Sequence, residues 1–180
     1  MHMGDALLAR TTLSLAILTM VAVSQLPGMR TALADDWRTY HNDRYGTTID
    51  YPRFFNSGTP PEADDGLKFT SADRAEFSVF ASYNALGFDL AGFQDFIKEN
   101  LAADAVITYR AHGDDWFVIS GTQGSDRIFY ERHLLSHGGE MTEGLVMSYP
   151  AGLKQKYDPI VARMAKSFRP GKGFQTPDAR

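Results

Sequence analysis

The sequence predicts an α+β fold in which an antiparallel β-sheet of about six to eight strands is covered by helices, as an α/β/α-type sandwich. Three observations support this prediction. Several segments alternate apolar and polar residues with a period of two, which is typical of strands with one buried face. Short turns rich in Gly, Asp and Ser join these segments, as in antiparallel hairpins. Two other segments repeat apolar residues at helical spacing, so each needs a surface to cover.

Strands are predicted where such alternation lies between turn-forming residues. The predicted strands are Trp37–Tyr40, Thr47–Tyr51, Gly66–Ser71, Ala75–Tyr83, Val106–Ala111, Trp116–Thr122, Arg127–Ser136 and Met141–Tyr149. Phe77, Val79 and Ala81 share one face of their strand, and Phe80 is an apolar exception on the other. The last four strands follow one another through short turns, so we expect an antiparallel meander. The segment from Phe54 to Asp65 contains Gly and Pro residues and is predicted to be a loop.

Two helices are predicted between and after these strands. Asp89 is a good N-cap for the first, which is expected to reach about Ala102. Its apolar stripe should pack on the sheet, and a ligand groove is the alternative interpretation. The second helix is expected to use Asp158 as its N-cap and Pro159 as its first helical residue, with Tyr157 just outside. Pro170 and Gly171 should end it.

The N-terminal 34 residues have the organisation of a cleavable export signal. Arg10 precedes an apolar run, Leu13–Val23, that is shorter than the roughly 20 residues needed to span a membrane. Ala32-Leu33-Ala34 provides the small residues of a cleavage site, so we expect cleavage after Ala34. An uncleaved membrane anchor is the alternative. A single domain is then predicted over residues 35–171, with a polar, disordered tail over residues 172–180.

Composition restricts which compartments and which classes of partner are expected. The 180 residues include no Cys, which excludes disulfides, a lipid-modified cysteine, thiolate catalysis and Cys-based zinc sites. With 22 acidic and 18 basic side chains, the net charge of −4 does not favour nucleic acid or an anionic membrane surface. We therefore predict a periplasmic or secreted protein of a Gram-negative bacterium, monomeric and without a membrane span after signal cleavage.

Stretches spread over nearly the whole mature chain resemble the PsbP/Mog1-like family. Tyr40–Pro52, with the sequence YHNDRYGTTIDYP, is similar to the opening hairpin of that family. Gly66–Ser71 resembles its next strand, and Tyr157–Pro170 resembles its closing helix and SF exit. The resemblance implies an antiparallel sheet between helices and a non-catalytic partner of a larger assembly, as in photosystem II extrinsic subunits and a regulator of the Ran GTPase. No binding residue of those relatives can be matched here, and the lipid-anchor cysteine of the photosynthetic branch is absent.

The strongest metal candidate is the pair His133 and His137, with Glu131 and Glu140 nearby. If the strand reaches His137, even spacing places both histidines on one face with Glu131. Two histidines and a carboxylate can bind zinc. Solvent-facing histidines without a metal are the alternative, and we assign no metal residue.

Other candidates for chemistry are weaker. They are three loop carboxylates, Glu62, Asp64 and Asp65; two serines, Ser120 and Ser125; and His112 beside Asp114 and Asp115. The carboxylates lack the spacing of the known calcium loop, and the serines lack the G-x-S-x-G elbow of many hydrolases. A hairpin tip such as that of His112 rarely excludes water. We therefore predict no catalytic residue and no cofactor.

Trp37, Trp116 and Phe117 are large aromatic residues that a partner could contact. Trp116 and Phe117 are adjacent on a strand, so they point to opposite faces. If both faces are covered, both residues are core; if one face is open, one belongs to an apolar patch suited to a partner or ligand. The sequence thus favours an exported, non-catalytic binding or accessory protein that uses a sheet face or the acidic loop to hold a protein partner. The alternatives are a secreted metal-dependent hydrolase and a carrier of small apolar ligands.

Overall fold

A seven-stranded antiparallel sheet organises residues 36–172, the part of the chain that the computed structural model describes. The predicted signal peptide and nearly all of the predicted tail lie outside the described residues. The strands are β1 (Trp37–His41), β2 (Thr48–Pro52), β3 (Asn56–Ser57), β4 (Gly66–Thr70), β5 (Glu76–Tyr83), β6 (Ala105–His112), β7 (Trp116–Gln123), β8 (Arg127–Ser136) and β9 (Met141–Pro150). The helices are α1 (Leu90–Glu99) and α2 (Lys154–Ser167).

The strand order of the large sheet is β3-β4-β5-β9-β8-β7-β6, and β1 and β2 form a separate hairpin. This confirms the antiparallel sheet and the meander from β6 to β9. β9 also pairs with β5 over eight residues, from Glu76 opposite Ser148 to Tyr83 opposite Met141. Part of the predicted loop between Phe54 and Asp65 is instead the short edge strand β3, because Asn56 and Ser57 pair with β4. Among residues 36–172, no helix is long and apolar enough to cross a membrane.

Alternation along the strands divides the sheet into two faces, and one helix packs on each of them. On the α2 face, α2 and the β1–β2 hairpin bury a large core that includes Ile49, Phe77, Leu145, Met147 and Met164. On the opposite, α1 face, a smaller core joins Phe93 of α1 to Phe117, Ile119 and Phe129 of the sheet. The helices therefore lie on opposite sides, as predicted for an α/β/α-type sandwich. Phe80 also faces away from Phe77 and Val79, as its place in the pattern predicts.

The predicted N-cap of α1 is confirmed, since the Asp89 side chain accepts a hydrogen bond from the Gly92 backbone N–H at 2.8 Å. The helix ends at Glu99, three residues before Ala102. The predicted start of α2 is wrong. The helix begins at Lys154, so Tyr157 lies within its first turn and Pro159 lies inside the helix.

Tertiary contacts explain why α2 begins early. Tyr157 is fully buried against the sheet and stacks on Tyr149 with ring centroids 5.1 Å apart. Its hydroxyl donates a hydrogen bond to Asp73 at 2.6 Å. Asp158 does not cap the helix, because its carboxylate pairs with Lys154 one turn earlier and accepts from the Tyr149 hydroxyl at 3.1 Å. Burial of Tyr157 therefore outweighs the local helix-start signal of Asp158 and Pro159.

The contact between Asp73 and Tyr157 is also electrostatic. Burial works to raise the pKa of the Asp73 carboxyl, but hydrogen bonds from Lys156, Ser71 and Tyr157 outweigh it and hold that pKa well below its usual range. Burial, together with the Asp73 carboxylate, raises the pKa of the Tyr157 hydroxyl. The tyrosine therefore stays a neutral donor to a charged acceptor, which is a strong type of hydrogen bond.

A second polar contact, centred on Glu143, joins the β1–β2 connection to the sheet. Glu143 is 1% exposed and accepts hydrogen bonds from Thr47 Oγ1 at 2.7 Å and from Ser136 Oγ at 2.8 Å. The Gly171 backbone also hydrogen-bonds this carboxyl. Gly171 packs so closely on Tyr45 that a Cβ there would lie 1.8 Å from the Tyr45 carbonyl oxygen. Glu143 thus ties a turn, a strand end and the segment after α2 together.

Burial raises the pKa of Glu143, although its hydrogen bonds and His137 partly oppose this. A carboxyl with a raised folded pKa binds more protons in the folded state than in the unfolded state. Its contribution to stability is therefore full at low pH and falls as pH rises above about 4.5, its ordinary value. Glu143→Gln keeps one acceptor but cannot ionise.

We predict that Glu143→Gln becomes more stable relative to the natural protein as the pH rises above about 4.5, because only the natural side chain must ionise in its buried position. Urea unfolding at several pH values measures this difference. Glu140→Gln is the matched control. Because Glu140 is exposed, its replacement should change the free energy of unfolding by about the same amount at every pH. A stability difference for Glu143→Gln that stays constant with pH would contradict the prediction.

Candidate functional site

The structure brings His133 and Glu131 together but does not align His137 with them. β8 ends at Ser136, so the alternation that would align His137 with His133 stops one residue too soon. His137 lies in a turn with a φ of 53° and its Nε2 is 3.0 Å from the Gly171 carbonyl oxygen. Within residues 36–172, no three His, Asp or Glu side chains are grouped so as to hold a metal ion.

His133 belongs to the core of the α1 face. It is fully buried, and its Nε2 is 2.9 Å from Glu131 Oε2. Its ring stacks on Phe117 at 4.9 Å and meets the edge of Phe93 at 5.4 Å. Its Nδ1 has no hydrogen-bond partner among the described residues. These contacts describe a packed histidine supported by one carboxylate.

The weaker candidates either form hydrogen bonds within the fold or lie exposed at the surface without forming a catalytic cluster. The Ser120 hydroxyl donates to the Phe129 carbonyl at 2.7 Å, and Ser125 lies in an exposed turn. His112, Asp114 and Asp115 are exposed at the β6–β7 hairpin, and none of them takes part in an ion pair among the described residues. In the loop before β4, Glu62 is exposed, and the backbone carbonyls of Asp64 and Asp65 accept from the Asn42 side chain and the Ala81 backbone.

The aromatic candidates differ in position. Phe117 is 0% exposed in the core of the α1 face, whereas Trp116 points to the α2 face and is half-buried. Trp37 is half-buried on β1, with the Arg163 guanidinium 4.0 Å from its ring centroid. Of these three candidates, Trp116 is therefore the one that leaves an accessible aromatic ring on the α2 face of the large sheet.

Trp116 belongs to a groove of about 710 Å³ that we call the α2 groove. Its floor is the part of the α2 face that α2 does not cover, and one of its walls is a single side of α2. The floor and edge residues include Tyr109, Ala111, Trp116, Val118, Ser120, Ile128, Tyr130 and Arg132; the wall residues are Lys154, Asp158, Val161, Ala162, Ala165 and Lys166. β6 is the edge strand on the open side. The lining is mainly apolar and aromatic.

The charges in the groove do not cancel. Lys154 and Asp158 form an ion pair with each other. Arg132 and Lys166, which also line the groove, form no ion pair among the described residues. The Arg132 guanidinium lies 4.8 Å from the centroid of the Trp116 ring, and its Nε is buried without a hydrogen-bond partner in the described chain. The groove thus carries two unpaired positive charges in a chain of net charge −4.

Tyr130 and Tyr149 do not neutralise these cations. Burial raises the pKa of the Tyr130 hydroxyl above its ordinary 10.0, and Arg132 only partly opposes the shift. Burial and the Asp158 carboxylate raise the pKa of Tyr149. Both phenols are therefore neutral near pH 7, so they offer hydrogen bonds and apolar surface but no negative charge.

A second concavity, of about 950 Å³, lies among the loops at one end of the sheet. It is larger than the α2 groove but more open, and several of its polar groups already have structural partners. Asp89 caps α1, and His137 contacts Gly171. The remaining carboxylates there, which include Asp114 and Glu140, are exposed. The α2 groove is therefore the better candidate site.

Comparison with solved structures identifies the fold. The cyanobacterial PsbP (CyanoP) from Synechocystis aligns with a TM-score of 0.54 and 13% identity, covering 75% of this chain and 92% of that chain. The Saccharomyces cerevisiae Ran-binding protein Mog1p aligns with a TM-score of 0.50 and 9% identity, covering 74% and 94%. No family model and no curated protein matches the sequence. The chain has a PsbP/Mog1-like fold, which confirms the fold expected from the resemblance.

Sequence reasoning missed Arg132, Lys166, Tyr109 and Tyr130 as groove residues. A signal for one of them is present on β8, where Ile128, Tyr130, Arg132 and Leu134 share a face. A single arginine in such a row indicates a face that is not wholly core. No comparable signal marks Lys166, since its place depends on how α2 lies on the sheet.

We predict that Phe117→Ala lowers the free energy of unfolding by about 3–5 kcal/mol, because it removes a fully buried ring. Trp116→Ala should cost about 1–2 kcal/mol, since the ring is only half-buried and part of its area is already exposed. Urea unfolding of the two neighbouring variants measures both losses. Equal losses would mean that Trp116 is a core residue and that the groove floor is not an accessible surface.

Proposed function

We propose that this protein is an exported, non-catalytic binding or accessory protein that holds a protein partner in the α2 groove. The observation that carries the proposal is the combination of an aromatic, mainly apolar floor with the unpaired cations Arg132 and Lys166. Accessible aromatic and arginine side chains at the centre of a concave surface are typical of residues that contribute most to protein–protein affinity.

Two further points support a binding role. One structural neighbour is described as a Ran-binding protein, so this fold is compatible with protein binding, although fold likeness does not transfer a partner. Within the described residues of the groove, Ser120 is the serine of the floor, and its hydroxyl already donates to a backbone carbonyl. A hydrolase would need that hydroxyl to donate to a base.

The groove volume also suits a small ligand, since pockets for such ligands range over about 300–1,000 Å³. A carrier of apolar ligands is therefore the second candidate. The unpaired cations favour a partner with acidic groups over a purely apolar molecule. Native mass spectrometry of gently purified protein separates the two, because a carrier would retain a bound small molecule of defined mass.

Photocrosslinking tests the groove directly. A photoreactive amino acid at Ala162, an exposed groove residue on α2, should form an adduct with one protein in the native periplasm. The same amino acid at Ala91, an exposed alanine on α1, is the matched control and should not. Arg132→Gln with Lys166→Gln should reduce the Ala162 adduct at least about tenfold, because it removes the positive charges that attract and orient an acidic partner.

The crosslinking result would overturn the proposal in two cases. In the first, Ala91 gives the same adduct as Ala162, so the contact is not specific to the groove. In the second, the Ala162 adduct is unchanged when both cations are replaced. An adduct with a small molecule in place of a protein would favour the carrier function.

Export rests on the predicted signal peptide, so the mature N-terminus is its test. We predict that periplasmic protein begins at Asp35, as measured by intact mass. Ala34→Phe should block cleavage because signal peptidase needs a small residue there, whereas Leu33→Phe, at the variable middle position, should leave it intact. Full-length protein retained in the membrane fraction of the unmodified chain would contradict cleavage and favour the uncleaved anchor.

A further inference from the structure

We propose that the α2 groove contains a carboxylate-binding subsite centred on Arg132, and that the partner enters with an Asp or Glu side chain beside an apolar or aromatic one. The identity of the occupant rests on the proposed function. The affinity of the subsite for a carboxylate is a separate property of this chain, and it can be measured without any partner.

The position of Arg132 explains why a carboxylate fits. Its guanidinium lies over the Trp116 ring, 4.8 Å from the centroid. A guanidinium held against a ring keeps its charge and the N–H donors that the ring does not cover. The Nε of Arg132 is buried, so its two terminal Nη groups are the donors left for a ligand. A carboxylate matches two such donors with its two oxygens, which gives a strong, planar contact. Within residues 36–172, no carboxylate already forms an ion pair with Arg132.

The surrounding charges favour an incoming anion. Lys166 adds a second unpaired cation to the same groove, and Asp158, the acidic residue among the described lining residues, is occupied by Lys154 and Tyr149. The buried Nε of Arg132 has no partner in the described chain. The Arg132 side chain interacts with the Tyr130 hydroxyl and with the Trp116 ring, but no carboxylate among the described residues balances its charge. An incoming carboxylate would supply that missing negative charge.

The neighbouring surface selects what accompanies the carboxylate. The half-buried Trp116 ring forms an apolar floor beside Arg132, and Tyr109 on the edge strand is 56% exposed. Val118 also lines the groove but is only 4% exposed. An isolated phosphate or a sugar acid would leave this surface uncovered. A segment that places an acidic residue next to an aromatic or aliphatic residue uses both parts of the groove.

The probe is 3-phenylpropionate, which combines one carboxylate with one ring, and its uncharged counterpart is 3-phenylpropionamide. The chain has only two tryptophans, so the indole N–H signals of Trp116 and Trp37 report on the site and on an internal reference. We expect the Trp116 signal to shift with a dissociation constant on the order of a few millimolar for the acid, and at least about tenfold weaker binding for the amide. The Trp37 signal should not move.

The chain offers a matched control for the arginine. Arg163 lies over Trp37 as Arg132 lies over Trp116, but it does not line the groove. Arg132→Gln should weaken binding of the acid about tenfold or more, and Arg132→Lys should weaken it less, because the charge remains but the two-donor edge is lost. Arg163→Gln should leave the affinity unchanged. The dispersed tryptophan signals show in the same spectra that each variant is folded.

The inference is overturned if the amide binds as well as the acid, if Arg132→Gln and Arg163→Gln act alike, or if inorganic phosphate shifts the Trp116 signal more strongly than the acid does. Its failure is distinct from failure of the proposed function. If the acid binds at Trp116 but no protein crosslinks at Ala162, the subsite stands and the protein-binding function falls. If one protein crosslinks specifically at Ala162 but the acid does not bind, the protein-binding function stands and the carboxylate subsite falls.

Discussion

The groove depends on how α2 packs on the sheet. Tyr157 is buried against Tyr149 of β9 and donates to Asp73, which lies in the turn between β4 and β5. These contacts hold the first turns of α2 over the middle of the sheet. With the β1–β2 hairpin, α2 covers the α2 face of the central strands but leaves parts of β6 and β7, including Tyr109 and Trp116, accessible. The uncovered strip and the side of α2 form the groove.

The two faces of one strand show how the fold separates stability from binding. On β7, Phe117 and Ile119 point to the α1 face, where α1 buries them completely. Trp116 and Ser120 point to the α2 face and stay partly accessible, whereas Val118 between them on that face is 4% exposed. Because side chains alternate along a strand, β7 contributes a packed core on one side and the groove floor on the other.

Local features of the fold were predictable from the sequence, and distant ones were not. The hairpins of the meander and the Asp89 cap follow from neighbouring residues, and both are confirmed. The pairing of β9 with β5 joins segments about 60 residues apart, as in Ser82 opposite Thr142. Such a long-range pairing produces no pattern among neighbouring residues from which it could be predicted. The start of α2 was mispredicted because Asp158 and Pro159 are a strong local signal that the burial of Tyr157 overrides.

The same distinction applies to the candidate site. The sequence indicated that either Trp116 or Phe117 could face a partner, but only the covering of each face decides which one does. It also suggested a shared face for His133 and His137, which the end of β8 at Ser136 prevents. Arg132 was detectable in principle from its row on β8, whereas Lys166 joins the groove only through the packing of α2.

Amide hydrogen exchange of the protein, alone and bound to the partner captured at Ala162, tests most directly that the uncovered strip of the sheet is the binding surface. Slower exchange on binding is expected in β6, in β7 and in the second half of α2, with the loop of residues 58–65 and helix α1 unchanged. Protection concentrated in that acidic loop or on α1, with β6 and β7 unaffected, would contradict the account.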